Sequence, residues 1–438
     1  MSRMRRPIAS LVIAASLSLG CASSLLAQRS VTVPASSMAQ PGDAGVRAHT
    51  NVRFVNSPQD FQAATPQSYG PPFPAYFAED PASIGCIYGL TPPSPGCNPD
   101  VATVNPHGGS KAIAVVDAYN DPTAYADLSI FSSQFGVAPI HHRNFIVVHA
   151  PFGGAAPGSC TSPPPGPKPP VDPTGGWELE ESLDIEYLHA MAPWATLYLV
   201  EAQSNSYSDL LCAVTVASNL MAAAGGGEVV MPWGSGEFSG ETSIDPVFTT
   251  PTVVYFNAAG DAPGVYYPSA SPNVVSVGGT TLSANTITFN FLEENAWQDA
   301  AGGPSAYESR PTYQNGVQAV VGTQRGTPDV AAAANPYTGA WVQDSFPVEG
   351  YPPCPLRTPC WWIVGGTSLS VDVWAGTVNV AGSFAASSSA ELTKLYADPA
   401  KDFTNDGGGS CGPTMGYFDA FGYNFCTGLG SPATYAGK

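Results

Sequence analysis

Ser368 ends a glycine-rich turn, Gly365-Gly366-Thr367-Ser368, and a serine hydroxyl becomes a useful nucleophile only when a neighbouring base takes its proton. Histidine is the usual base, yet none of His49, His107, His141, His142, His149 and His189 stands in a recognisable catalytic context. Far upstream, the stretch Trp177 to Met191 offers carboxyls instead. At 100° per residue, Trp177, Glu180, Leu183, Asp184, Tyr187, Leu188 and Met191 share one helix face, while Glu178, Ser182, Glu186 and His189 take the opposite one. The spacing therefore predicts a helix with Glu180 and Asp184 on its buried side. A carboxylate replaces histidine as a base when its pKa lies near the working pH, which points to acid conditions. Burial against Leu183 and Tyr187 raises the pKa of Glu180, and Asp184, one turn on, can share its proton. The competing reading is a solvated acidic face, because five carboxylates crowd Glu178 to Glu186.

Asp261, in Asn257-Ala258-Ala259-Gly260-Asp261, is an ordinary turn aspartate when taken alone. Facing Ser368, it would stabilise a tetrahedral oxyanion only as a neutral acid, because an ionised carboxylate repels the developing charge. Ser368 itself has a plainer reading as a helix N-cap before Leu369-Ser370-Val371. Asp117 ends the apolar run Ala112 to Val116 and, with no histidine to orient, reads as structural.

The elements that must position these groups follow from the pattern of apolar runs. Ala112-Val116, Phe145-Val148, Thr196-Val200, Val229-Met231, Val253-Phe256, Val274-Val277 and Trp361-Val364 read as buried strands with helical stretches between them. That alternation predicts an α/β fold around a mainly parallel sheet, which binds ligands at the carboxyl ends of its strands. With 438 residues, 44% hydrophobic, 46 Gly and 44 Pro, one large domain rich in loops is expected. Residues 1–27 carry Arg3, Arg5 and Arg6, an apolar run from Ile8 to Leu19 and small residues up to Ala27, as an export signal does. The run is short for a membrane span. Residues 28–83 read as an extended or partly disordered arm, with the core domain over 84–438.

Lys and Arg number 15 against 34 Asp and Glu, a formal net charge of −19 that disfavours nucleic acid and anionic membrane as partners. Beyond Cys21 an even number of cysteines in an exported chain favours disulfides. Proximity pairs Cys86 with Cys97, Cys354 with Cys360 and Cys411 with Cys426, leaving Cys160 for Cys212.

Taken together, Gly176 to Pro193, Pro232-Trp233-Gly234-Ser235-Gly236 to Glu241, Ala259-Gly260-Asp261 and Gly366-Thr367-Ser368 resemble the sedolisin, or serine-carboxyl peptidase, family over about residues 84 to 435. The resemblance implies a subtilisin-like fold and an endopeptidase; its expected substrates are unfolded or extended polypeptides, and a monomer is expected. It makes Ser368 the nucleophile, Glu180 the general base and acid, Asp184 its partner and Asp261 the oxyanion-hole acid. It further implies one structural calcium ion, held by Asp402, the Phe403 carbonyl, Ala420, Gly422 and Asn424. Here Asn424 replaces the usual aspartate, Asp372 a usual proline, and Pro232 a usual serine. The space before Ile84 is short for the family's long prodomain, so no cleaved prosegment is expected. Two alternatives remain open: a degenerate relative that only binds, and a carbohydrate-active enzyme using Glu180 and Asp184 as its two acids.

Overall fold

Asn51 and Val52 separate two short strands, β1 (His49–Thr50) and β2 (Arg53–Asn56), in an N-terminal arm that buries Val52, Phe54, Val55, Phe61 and Phe73 and leaves Met38 and Val46 exposed. Helix α1 (Pro81–Ile87) follows. It starts with proline at its first position, and Asp80 and Ser83 bond reciprocally across its first turn. The computed structural model describes residues 30–61, 65–68, 70–74, 76–90, 108–109, 111–284, 291–355, 358–397, 403–404, 408–412 and 416–435. The leader-like residues 1–27, Cys97 and Asp402 lie outside these.

From Ala112 the chain alternates. The order is β3 (Ala112–Ala118), α2 (Ala124–Phe135), β4 (Phe145–His149), α3 (Gly176–Met191), β5 (Thr196–Ala202), α4 (Tyr207–Ala223), β6 (Gly227–Met231), β7 (Trp233–Gly236), β8 (Val253–Ala258), β9 (Tyr266–Tyr267), β10 (Val275–Ala284) and β11 (Phe291–Ala296). An antiparallel pair, β12 (Gly303–Ser309) and β13 (Gln324–Thr327), follows with the one-turn helix α5 (Gln318–Val321) between them. Then come β14 (Val330–Ala333), β15 (Ala340–Gln343), β16 (Trp361–Gly365) and α6 (Thr367–Ala381).

The main sheet runs β11-β10-β8-β6-β3-β5-β4, with β14 also on β10, and all its pairs are parallel except β10 with β11. The central strand β3 is buried at every position, as a strand covered on both faces must be. Ile113 and Val115 join the apolar core that holds α2, α3 and α6, while Ala112, Ala114 and Val116 join the core under α4. This single α/β domain with a mainly parallel sheet agrees with the expectation from the sequence.

Two expectations are corrected. Trp361–Gly365 is a strand, but it sits in a separate three-stranded antiparallel sheet, β15-β16-β2, rather than in the parallel one. Helix α3 has no solvated face either: all sixteen residues are buried, including Glu178, Glu181, Glu186 and His189. It is enclosed by α2, α6, β3, β5 and β15 and by the N-terminal arm, so its polar side is turned onto protein. Glu186 accepts from the Gln343 amide at 3.0 Å, Glu178 from the Asp172 amide at 2.8 Å, and His189 Nε2 lies 2.7 Å from the Ala138 carbonyl.

The predicted bridges Cys160–Cys212, Cys354–Cys360 and Cys411–Cys426 are present. Cys86 is also in a disulfide. Among the described residues no helix is long and apolar enough to cross a membrane.

Candidate active site

Three strand ends and two helices converge on Ser368. Asp117 is the penultimate residue of the parallel strand β3, and Pro232 and Asp261 follow the ends of β6 and β8, all at carboxyl edges. Helix α6 approaches α3 closely because Gly376 has no side chain: a Cβ there would lie 2.3 Å from the Met191 Cβ. Ser368 is the second residue of α6, and the helix is capped by Gly366 rather than by Ser368. Gly366 has φ 135°, a conformation that favours glycine. The Ser368 hydroxyl is thus free of capping and turns inward.

Its Oγ donates to Glu180 Oε1 and also lies 3.0 Å from the Pro232 carbonyl oxygen. Both Ser368 and Glu180 are fully buried. Asp261 stands across the same turn, its Oδ1 accepting from the Thr367 amide at 2.8 Å and from the Thr367 hydroxyl at 2.9 Å. Its Oδ2 is buried and has no hydrogen-bond partner. Arg53 donates to the Asp261 main-chain carbonyl and to Asp299 Oδ2, the latter at 2.8 Å. Burial pushes Asp261 up to about 7, against the opposing pull of Arg53 and of the Thr367 hydrogen bonds. At acid pH this carboxyl is neutral, with a proton available to donate.

Asp184 is buried with Glu180, Asp117 and Asp372 around it. Neither oxygen of Asp117, Asp184 or Asp372 has a hydrogen-bond partner, so a bond between any two of them requires a shared proton. Desolvation raises Asp184, Asp372 and Glu180 well above the usual carboxylate range, and mutual repulsion adds to it. Burial pushes Asp117 up to about 8. Asp117, read from sequence as structural, is therefore a member of a four-carboxyl cluster. Its place at the carboxyl end of the central strand was the signal that could have found it.

Sequence reasoning also missed Asn51. Its Nδ2 donates to the Pro232 carbonyl at 2.7 Å, its amide to Glu180 Oε1 at 3.4 Å, and its carbonyl oxygen accepts from the Ser368 amide at 3.4 Å. No motif announced this residue.

The loop expected to hold calcium gives a poor fit to a dication. Asn424 directs its Nδ2 at Asp419 Oδ1, Thr427 Oγ1 and the Ala420 and Gly422 carbonyls at 2.9 to 3.4 Å. Its Oδ1 accepts from the Cys426 and Thr427 amides. A donor thus faces the oxygens that a cation would need. Asp402 lies outside the described residues, and Phe403 is placed in a two-residue strand pairing with Pro432. Among the described residues no group of His, Cys, Asp and Glu is arranged to hold a metal.

No family model matches the chain. Among curated proteins it is 31% identical over 192 residues to sedolisin of Pseudomonas sp. (strain 101), covering 39% of this chain and 29% of that protein. It is 29% identical over 220 residues to xanthomonalisin of Xanthomonas sp. (strain T-22), covering 43% and 24%. With kumamolisin of Bacillus sp. (strain MN-32) it is 28% identical over 299 residues, covering 60% and 51%. The matches thus span between a quarter and a half of the relatives' lengths. In fold, the chain is similar to Pseudomonas sedolisin, a serine-carboxyl proteinase solved with pseudo-iodotyrostatin, at TM-score 0.59 and 20% identity over 82% of this chain and 96% of that one. In sequence the chain is thus similar to three sedolisin-type proteins at modest identity, and in fold to Pseudomonas sedolisin.

Proposed function

We propose that the chain is an exported serine-carboxyl endopeptidase working in acid, with Ser368 as nucleophile and Glu180 as general base. The observation that carries this reading is the Ser368 Oγ hydrogen bond to a buried glutamate, opposite an aspartyl oxygen that has no hydrogen-bond partner and only a 4.0 Å ion pair with Arg53 Nε. Ser368 Oγ attacks the carbonyl carbon of an extended polypeptide, and Glu180 takes the hydroxyl proton. The substrate oxygen, now negative, lies between the Ser368 amide and protonated Asp261, at the amino end of α6, where the helix dipole also favours negative charge. Glu180 then returns its proton to the departing amine, and water attacks the ester by the reverse route.

Asp117, Asp184 and Asp372 hold protons next to Glu180 and act on its charge, as positioning residues. Activity then has two limits. Below one limit Glu180 keeps its proton and cannot accept another; above the other Asp261, held near 7 chiefly by burial, loses the proton it must donate. The three disulfides support an oxidising compartment, in line with the leader-like residues 1–27. The chemistry requires no second chain. No step runs through calcium.

The test is digestion of casein or denatured haemoglobin from acid to neutral pH by the wild type, Ser368→Ala and Glu180→Gln. Loss of activity in both variants, with their folds intact, is expected. Full activity in Ser368→Ala would overturn the reading, and a wild type inert at every pH would favour a binding protein.

A further inference from the structure

Arg53 of the N-terminal arm lies in a cation site whose walls belong to the core. Its guanidinium donates to Asp299 Oδ2 at 2.8 Å and to the Asp261 main-chain carbonyl, and it stands 5.3 Å from the centre of the Trp297 ring. Its Nε also lies 4.0 Å from Asp261 Oδ2. A carboxylate, a carbonyl oxygen and an aromatic face all favour a cation, and the last suits a planar guanidinium best. The Asp299 side chain is 37% exposed, so the site opens to solvent.

The turn that carries the site is fixed without help from the arm. Trp297 and Asp299 follow the end of β11. There the Trp297 amide donates to the Gly279 carbonyl of β10 at 3.1 Å, the Ala300 amide to the Trp297 carbonyl at 3.0 Å, and the Ala301 amide to the Gly260 carbonyl at 2.9 Å. Gly279 lets the ring lie close, since a Cβ there would meet Trp297 Cε3 at 2.9 Å. The ring packs with Ala300 and Ala334 in a small apolar cluster of its own.

Strand register gives the position of the site along the cleft. Arg53 and Phe54 pair antiparallel with Gly365 and Val364 of β16, the strand that leads into the Ser368 turn. Two residues before Arg53, the Asn51 carbonyl accepts from the Ser368 amide at 3.4 Å, the amide assigned above to the substrate oxygen. An extended polypeptide whose reacting carbonyl meets that amide, and which pairs with Gly365 as the arm does, brings the second residue after its scissile bond to the position of Arg53. Side chains alternate along an extended chain, so the residue before it points to the other side.

We propose that Asp299, Trp297 and the Asp261 carbonyl form a specificity subsite that selects polypeptides with a basic side chain, arginine before lysine, as the second residue after the scissile bond. The inference rests on the peptidase reading above and adds a substrate class to it. Arginine outranks lysine because a guanidinium lies flat against an indole while donating to two oxygens, whereas an ammonium is a compact point charge. Glutamate at the same place brings no donor and meets the Asp299 carboxylate with like charge.

A casein digest by the full chain at acid pH, read by mass spectrometry, fixes one cut site. Four peptides are then built on that site, identical except for arginine, lysine, alanine or glutamate as the second residue after the cut, and are made to compete in one mixture. All four displace the same arm, so the ratio of their kcat/KM values reads the subsite alone. Arginine is expected to exceed alanine by about 10-fold, with lysine between them and glutamate last. In Asp299→Ala the ratio of arginine to alanine is expected to fall to about 1, and in Asp299→Lys glutamate is expected to overtake arginine. The wild-type ratio carries the test by itself if either variant fails to fold. Equal rates for arginine and alanine in the wild type, or a preference for arginine that survives Asp299→Ala, would overturn the subsite and leave the peptidase reading standing. A chain that cuts neither casein nor any of the peptides would overturn both.

Discussion

Asp372 lies one helical turn beyond Ser368 on α6 and is buried, with burial and the charge of nearby acids raising both it and Asp184, which lies one turn beyond Glu180 on α3. The two helices thus face each other through two pairs, serine with glutamate and aspartate with aspartate. Asp372 is where this chain departs from the usual family proline, and its carboxyl adds a proton site beside the base. It raises both Asp184 and Glu180 by repulsion.

Replacing Asp372 by asparagine removes that repulsion and a competing site for the cluster's negative charge. The acid limb of the kcat/KM profile is expected to move to lower pH, with the fold retained. A limb that stays in place would show that Asp372 is uncoupled from the base.

Asp261 gives the opposite limb. Because burial holds it near 7, activity is expected to fall as pH rises through that value. Asp261→Asn keeps an oxygen for Thr367 and supplies an N–H that does not titrate, so activity should survive with the alkaline limb displaced upward. Asp261→Ala leaves no donor and is expected to lower kcat by about 100- to 1000-fold. Steady-state kinetics against a chromogenic peptide across pH separates the two variants.

Stability has its own pH dependence. Glu79 is pushed up to about 7, and Asp117, Glu201 and Glu228 to about 8, in each case chiefly by burial. Each binds its proton more tightly folded than unfolded. The resulting stabilisation is complete below the ordinary carboxylate range and is lost as pH rises toward 7 to 8, at about 1.4 kcal/mol per pH unit per group. Thermal denaturation of Ser368→Ala, which cannot digest itself, should give its highest Tm in acid and a steep decline toward neutrality. A Tm that rises over that interval would contradict the burial of these acids.

The loop around Asn424 should not depend on calcium. Chelation is expected to leave Tm unchanged in the wild type, whereas Asn424→Asp, which exchanges the inward N–H donor for a carboxylate among the Ala420 and Gly422 carbonyls, should make Tm rise on adding calcium. A wild-type Tm that falls on chelation would show that the Asn424 amide turns over to admit the ion.

The strands of the parallel sheet were legible because each is a short apolar run, and three disulfides because their cysteines are near in sequence or left over by elimination. Glu180, Ser368 and Asp261 were legible through their motifs, and the structure brings them together. The environment of α3 was not. Periodicity assumes that a helix has a wet side, whereas this one lies between the sheet, α6 and the arm, so its polar face is buried among other acids. The neighbours of Asp117 were not legible, because a triad was sought where several carboxyls are buried together. Asn51 was invisible because its role comes from a long-range crossing of the arm over Ser368, which composition cannot encode.

The most direct test of the central claim is to trap the acyl-enzyme. A single turnover of a peptide ester at acid pH, quenched in stronger acid and digested for mass spectrometry, should show the acyl group on Ser368 in the wild type and none in Ser368→Ala. Turnover with an unmodified Ser368, or unchanged turnover in Ser368→Ala, would contradict the account.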